Sequence, residues 1–316
     1  MRVAVTDIGT NSTRLLVAEI AGDGSLVERE RRTAITRLGE GVDASGSLGN
    51  AGIGRVRKVL DDYQRVTREQ AVDASIAVLT SAVRDSANGE EFVALLREHY
   101  GLEARILSGD EEARLTFLGA MSERSGTDTL KTLVIDVGGG STELIVGVRD
   151  HVDFHVSLQL GVVRQTERHL HQDPPSEAAL RALRRDIRTL IERDVPLRER
   201  RGVDRAIAVA GTATSLAAID QALEPYDRER VHGHRLELTT ARLLLARLAS
   251  VPLAERRKTR GLHRDRAPTI VAGVAILIEV LEAFALDGFE VSENDILRGA
   301  ALARAADAGY ARLGLS

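Results

Sequence analysis

Asp7-Ile8-Gly9-Thr10-Asn11-Ser12-Thr13-Arg14-Leu15-Leu16-Val17 returns without a gap as Asp136-Val137-Gly138-Gly139-Gly140-Ser141-Thr142-Glu143-Leu144-Ile145-Val146, with six of the eleven positions identical. In each copy a β-rich run, Val3 to Thr6 or Thr132 to Ile135, ends in Asp, passes through a turn of small residues and enters a second apolar run. That pattern predicts a β-hairpin, and its recurrence predicts an internal duplication. Glycine tolerates positive φ and lets a ligand approach the backbone, so Gly-rich turns of this sort expose several N–H groups to one anion. Phosphate is the guest that suits them.

Outward from the hairpins, the two halves share a plan. The first continues with a third strand (Leu26 to Arg31), a helix (Ile53 to Glu69), a β-branched run (Ser75 to Leu79), a helix (Gly89 to His99), a short strand (Ala104 to Leu107) and a helix (Asp110 to Met121). The second has a third strand (Val152 to Leu158), helices (Val163 to Leu170; Glu177 to Asp194), a strand (Arg205 to Val209) and further helices, with Pro174-Pro175-Ser176 as break and helix start. The alternation predicts an α/β fold built twice. Ser122 to Leu130, which contains Ser, Gly and Asp, is the expected link between the halves.

The chain has 316 residues, enough for two domains, with 47 acidic against 43 basic side chains and a net charge of −4. A near-balanced charge and only 3% aromatic residues argue against general nucleic-acid binding. Lysine stands only at 58, 131 and 258, an arginine skew that reads as genomic base composition rather than as a phosphate grip. With no cysteine, disulfides, thiolate metal sites and thiol nucleophiles are excluded. No signal layout opens the chain and no apolar run approaches the roughly eighteen residues of a membrane span, so the expectation is a cytoplasmic protein without a membrane partner.

Four further segments look chemical. Ala77 to Asp85 is a strand running into hydroxyl residues and then Arg84, which is well placed to clamp an oxyanion. Ile106 to Gly119 has a Ser108-Gly109 turn and an acidic first turn, Asp110-Glu111-Glu112; such residues commonly just complement the helix dipole, but a carboxylate there can also serve as a general base. Ala206 to Leu216 reads as strand, Gly211-Thr212 turn and helix, compatible with phosphate. Arg266-Ala267-Pro268 before the apolar helix Thr269 to Leu286, and Val291 to Gly299 after it, read as ordinary helix boundaries. The pairs His169/His171 and His232/His234 are weak evidence for metal, and neither a Walker loop nor a G-x-G-x-x-G fingerprint is present.

Taken in order, the Asp7 hairpin, Thr80-Ser81-Ala82-Val83-Arg84, Ser108-Gly109-x-Glu111-Glu112-Ala113, the Asp136 hairpin, Gly161-Val162-Val163-Arg164, Ala210-Gly211-Thr212 and Arg266-Ala267 resemble the exopolyphosphatase and guanosine pentaphosphatase family. That family belongs to the actin, Hsp70 and sugar-kinase superfamily. The resemblance implies two ribonuclease-H-like (actin-like ATPase) domains facing a cleft, residues 1–124 with a returning C-terminal helix 295–316, and residues 125–294. It implies Mg²⁺-dependent removal of terminal phosphate from inorganic polyphosphate, or of the 5′ γ-phosphate from guanosine pentaphosphate. By the same resemblance Glu112 activates the attacking water, with Glu111 as the open alternative, and Asp136, Glu143 and, through water, Asp7 hold Mg²⁺ or Mn²⁺. Asn11, Ser12, Arg84, Gly138, Gly139, Ser141, Gly211 and Thr212 cradle phosphates. Many family members continue into further helical domains, so a chain of this length is expected to favour short polyphosphates or a nucleotide. A kinase of the same superfamily and a sensor that binds guanosine tetraphosphate without hydrolysing it stay open as alternatives. A homodimer is the default expectation for assembly.

Overall fold

A computed structural model describes residues 1–22, 24–124, 127–149 and 151–309. The chain divides into two compact units, Met1–Ser122 joined by the chain from Asn294 onward, and Glu123–Glu293. The first unit contains β1 (Arg2–Ile8), β2 (Ser12–Ile20), β3 (Leu26–Ile35), α1 (Val42–Ser45), α2 (Asn50–Glu69), β4 (Ala74–Leu79), α3 (Ser81–Arg84), α4 (Gly89–Tyr100), β5 (Glu103–Ile106) and α5 (Gly109–Met121). The second contains β6 (Thr132–Val137), β7 (Thr142–Val148), β8 (His151–Leu158), α6 (Val162–His169), α7 (Glu177–Asp194), α8 (Leu197–Arg200), β9 (Arg205–Val209), α9 (Ala210–Asp220), α10 (Arg228–Val231), β10 (Arg235–Glu237), α11 (Leu238–Ala249), α12 (Leu253–Arg256), α13 (Ile270–Ala283) and β11 (Gly288–Val291). The chain then returns to the first unit as α14 (Ile296–Asp307); residues 310–316 of the expected C-terminal helix lie outside the described residues.

Each sheet is mixed and grows from a duplicated hairpin. In the first the order is β3-β2-β1-β4-β5, with β1 antiparallel to β2 and parallel to β4. In the second it is β10-β11-β9-β6-β7-β8, with β6 antiparallel to β7 and parallel to β9. Register places Asp7 opposite Arg14 and Asp136 opposite Glu143.

The central strands read as continuous apolar runs because helices cover both faces of the sheet. Along β1 and β2, Ala4, Ile8, Leu15 and Val17 pack with Val56, Leu60 and Tyr63 of α2 and with Phe92 and Leu96 of α4. The alternate residues, Val3, Val5, Leu16 and Ala18, pack on the other face with Leu115 of α5 and with Ile296, Leu297, Ala300 and Ala301 of α14. Asp7 and Arg14 continue this second series by the two-residue period of a strand. The second unit has one large core of its own, running from Leu133 to Val291 and dominated by α13.

Two expectations need correction. Gly211 and Thr212 are not in a turn before a helix: α9 starts at Ala210, directly after β9, and both residues lie in its first turn. Of the expected boundary Val291 to Gly299, Asp295 does cap α14, but Val291 is the last residue of β11, a strand parallel to β9 in the interior of the second sheet. At four residues it is too short to show a period by itself.

Candidate active site

In the first unit, the β1–β2 turn is closed by Gly9 N–H donating to the Ser12 carbonyl at 3.0 Å. The Asn11 carbonyl accepts from both Thr36 and Arg37 N–H at 3.0 Å, and the Thr10 and Ser81 hydroxyls are 2.9 Å apart in the interior. With its backbone pinned this way, the turn leaves the half-buried side chains of Asn11 and Ser12 without a hydrogen-bond partner among the described residues, so both stay available to a ligand.

Glu112 is a buried carboxyl group with a direct charge partner, Arg84. Ser108 caps α5 by accepting from Glu111 N–H at 3.2 Å, and the Glu111 carboxylate accepts Ser108 N–H at 2.9 Å in return. That capping box occupies Glu111, and the bonds from Ser108 hold its carboxyl below the usual range. Glu112, one residue on, turns inward and is 6% exposed. Its carboxylate takes Arg84 Nη1 at 2.8 Å, and the same nitrogen reaches the Leu107 carbonyl at 3.0 Å. Burial pushes the Glu112 carboxyl up to about 7, against the pull of Arg84 and with help from the charges of Asp7 and Asp85. A carboxyl group poised there can carry a proton away from water near neutral pH. Arg84, expected as a phosphate clamp, is thus also the ion-pair partner of this glutamate.

Asp7 is buried, and its two oxygens differ. Oδ2 accepts from Arg14 Nε at 2.8 Å and Nη2 at 2.6 Å, whereas Oδ1 is buried without a hydrogen-bond partner. Burial raises the carboxyl's proton affinity, Arg14 opposes it and Asp295 adds to it. An unsatisfied buried carboxylate oxygen costs free energy unless a cation, water or substrate group completes it.

In the second unit the hairpin turn is built alike: Gly138 N–H donates to the Ser141 carbonyl at 3.0 Å, as Gly9 does to Ser12. The carbonyls of Gly138 and Gly139 accept the N–H groups of Val162 and Val163 at 2.9 Å, and Arg164 Nε holds the Gly140 carbonyl at 3.0 Å. Gly161 permits this seating, since a Cβ there would fall 2.1 Å from the Gly139 carbonyl oxygen. The carbonyls of the turn are therefore committed to α6. Asp136 and Glu143 are both buried and lie on one face of the ladder, and Ser157 Oγ donates to Glu143 at 2.8 Å. Directly opposed residues in an antiparallel pair have Cβ atoms about 5 Å apart. Two buried like charges at that separation are unfavourable unless hydrogen-bond donors, a cation or a proton compensate them. Hard carboxylate oxygens suit Mg²⁺, which commonly rests on one or two carboxylates with water and phosphate oxygens completing its shell. No group of three or more His, Asp or Glu side chains that could hold a metal ion is found among the described residues.

Gly211 and Thr212 have packing duties. The Arg266 guanidinium lies against Gly211, where a Cβ would sit 1.2 Å from Nη1, and Thr212 is buried against Gly273 of α13. What this segment still offers an anion is its first-turn N–H groups: Val209 provides no side-chain cap, and Ala210 holds a left-handed φ of 61°. Three of the four histidines read as weak metal candidates are engaged elsewhere, His169 with Asp186, His232 with Glu123 and His234 with Asp220. Sequence reasoning missed Arg14, Asp295 and Ser157. The signal for Arg14 was the charge reversal, arginine against Glu143, within the duplicated segment.

Residues 16–302 match the Ppx/GppA phosphatase family. Exopolyphosphatase 2 of Mycobacterium tuberculosis is 37% identical over 320 residues, covering 96% of this chain and 98% of that protein. Among solved structures, an exopolyphosphatase-like protein aligns with a TM-score of 0.89 at 32% identity, over 98% of this chain and 100% of the other. The Aquifex aeolicus member of the Ppx/GppA family aligns with a TM-score of 0.82 at 31% identity, over 98% of both chains.

Proposed function

The chain belongs to the Ppx/GppA phosphatase family, and from that premise we propose that it hydrolyses the terminal phosphoanhydride bond of inorganic polyphosphate. The observation that carries the chemistry is Glu112, buried beside Arg84 with its proton affinity raised to near neutrality. Similarity to proteins named exopolyphosphatase carries the substrate class.

Phosphoryl transfer asks of a protein mainly positioning and charge neutralisation. Glu112 orients a water and accepts its proton as the water oxygen bonds to the terminal phosphorus. The bond from that phosphorus to the bridging oxygen breaks, and the shortened chain leaves with the electron pair. Glu111, occupied at the cap, is not free for this work. In the first unit, Asn11, Ser12 and the N–H groups of the β1–β2 turn would hold phosphate oxygens, and Arg84 adds positive charge beside the base; in the second unit, Gly138, Gly139 and Ser141 form the like turn. Asp136 and Glu143 are the residues that would hold Mg²⁺, with Mn²⁺ acceptable to the same oxygens. When bound, the ion neutralises charge on the transferring phosphoryl group. In the first unit, Asp7 Oδ1 would accept from a water or a substrate group.

The test is phosphate release by the purified protein in Mg²⁺, with short polyphosphate, long polyphosphate and guanosine pentaphosphate as substrates. Polyphosphate turnover that Glu112→Gln lowers by about 10²–10⁴-fold supports the proposal. Turnover confined to the nucleotide reassigns the substrate, and turnover retained within a few-fold in Glu112→Gln rejects the base.

A further inference from the structure

The duplicated hairpins carry unlike pairs at the same register position: carboxylate facing carboxylate in the second, Asp136 with Glu143, and carboxylate facing guanidinium in the first, Asp7 with Arg14. Arg14 spends its fork on two buried acids. Nε and Nη2 hold Asp7, while Nη1 pairs with Asp295. Asp295 is the N-cap of α14, its carboxylate accepting Leu297 N–H at 3.1 Å with Arg31 3.9 Å away. Burial pushes the Asp295 carboxyl up, but Arg14, Arg31 and this N–H outweigh it and keep it ionised.

Helix α14 in turn touches α5 backbone to backbone. A Cβ on Gly119 would meet the Asp295 carbonyl oxygen at 1.9 Å, and one on Gly299 the Leu115 carbonyl oxygen at 1.8 Å. Leu115 stands three residues after Glu112 on α5. A continuous path therefore joins the two carboxylates of this unit: Asp7, Arg14, Asp295, the helix crossing, Glu112.

We propose that Arg14 is a positioning residue, which by sharing its guanidinium between Asp7 and Asp295 locks the first hairpin to α14 and holds Asp7 in register with Glu112. The inference rests on the reading of Glu112 and Asp7 as groups that serve the reacting phosphate. Only a planar fork can hold both acids at once; a lysine ammonium of the same charge can hold one well.

A double-mutant cycle on the full chain tests it, read as kcat and KM for phosphate release. Arg14→Gln is expected to lower kcat on the order of 10–100-fold while KM stays within about threefold, and in an Asp7→Asn background the same substitution is expected to change kcat by less than about twofold. Arg14→Lys should fall between wild type and Arg14→Gln. If Arg14→Gln does not fold, Arg14→Lys carries the same comparison in the two backgrounds. A loss of equal size in both backgrounds would show that Arg14 acts only on general stability and would overturn the proposal. So would wild-type turnover in Asp7→Asn. Glu112→Gln separates the premises: an inactive Glu112→Gln with an additive cycle sinks Arg14's role alone, whereas an active Glu112→Gln sinks the reading beneath it.

Discussion

At the scale of single residues, the base role proposed for Glu112 and its pairing with Arg84 predict a pH response. A general base works as the carboxylate, so kcat/KM should rise as pH passes about 7, where burial has moved this group, and level off above it. Arg84 stabilises the ionised form, so Arg84→Met should displace the rising limb towards alkaline pH as well as weaken substrate binding. A pH profile of both proteins measures this; a limb unmoved by the substitution would mean that Arg84 does not tune the base. The role proposed for Glu112 came to the sequence only by way of family resemblance. The Ser108-x-x-Glu111 spacing of a capping box was written in the chain, yet which glutamate turns inward depends on what α5 packs against. The two hairpin turns, Gly9 to Ser12 and Gly138 to Ser141, were legible for a local reason, because turn chemistry is set by a few neighbouring residues. The second duties of Gly211 and Thr212 were not, since Arg266 and Gly273 reach them from 55 and 61 positions away.

At the scale of elements, two helices determine where the first unit holds Glu112. Helices α5 and α14 cross with glycine on each side of the contact, so each backbone approaches the other without a side chain between them. Gly119→Ala or Gly299→Ala should each cost about 1–3 kcal/mol through overpacking, measured by urea unfolding. The same variants should also slow turnover, because α5 carries Glu112; full activity in a destabilised variant would separate the crossing from the base. Elements with a strong period were read well from sequence, α7 and β9 to the residue. Helix α9 begins where a turn was expected, since β9 hands over to it at a single left-handed residue, Ala210, with no punctuating segment. Strand β11 exists because β9 and β10 flank it, and nothing within four residues announces such a partner.

For the whole molecule, the chain passes between units at 122–123 and again at 293–294. Residues 123–293 are contiguous and own a complete core, so this fragment should fold alone with a cooperative thermal transition. Residues 1–122 alone should not, because one face of their sheet is completed by Ile296, Leu297, Ala300, Ala301 and Ala305 of α14. Appending residues 294–316 should restore a cooperative melt followed by circular dichroism. Among the described residues no helix is long and apolar enough to cross a membrane. The sequence by itself determined the duplication, the two hairpins with their phosphate-compatible turns, the α/β alternation and the absence of thiol chemistry, because each follows from residues close together in the chain or from composition. The return of α14 to the first unit was implied by the family resemblance, but tertiary structure alone decided that Glu112 rather than Glu111 is buried and that Arg14 pairs with both Asp7 and Asp295. Those outcomes depend on burial and charge pairing between residues as many as 281 positions apart, and no local pattern encodes which distant partner arrives.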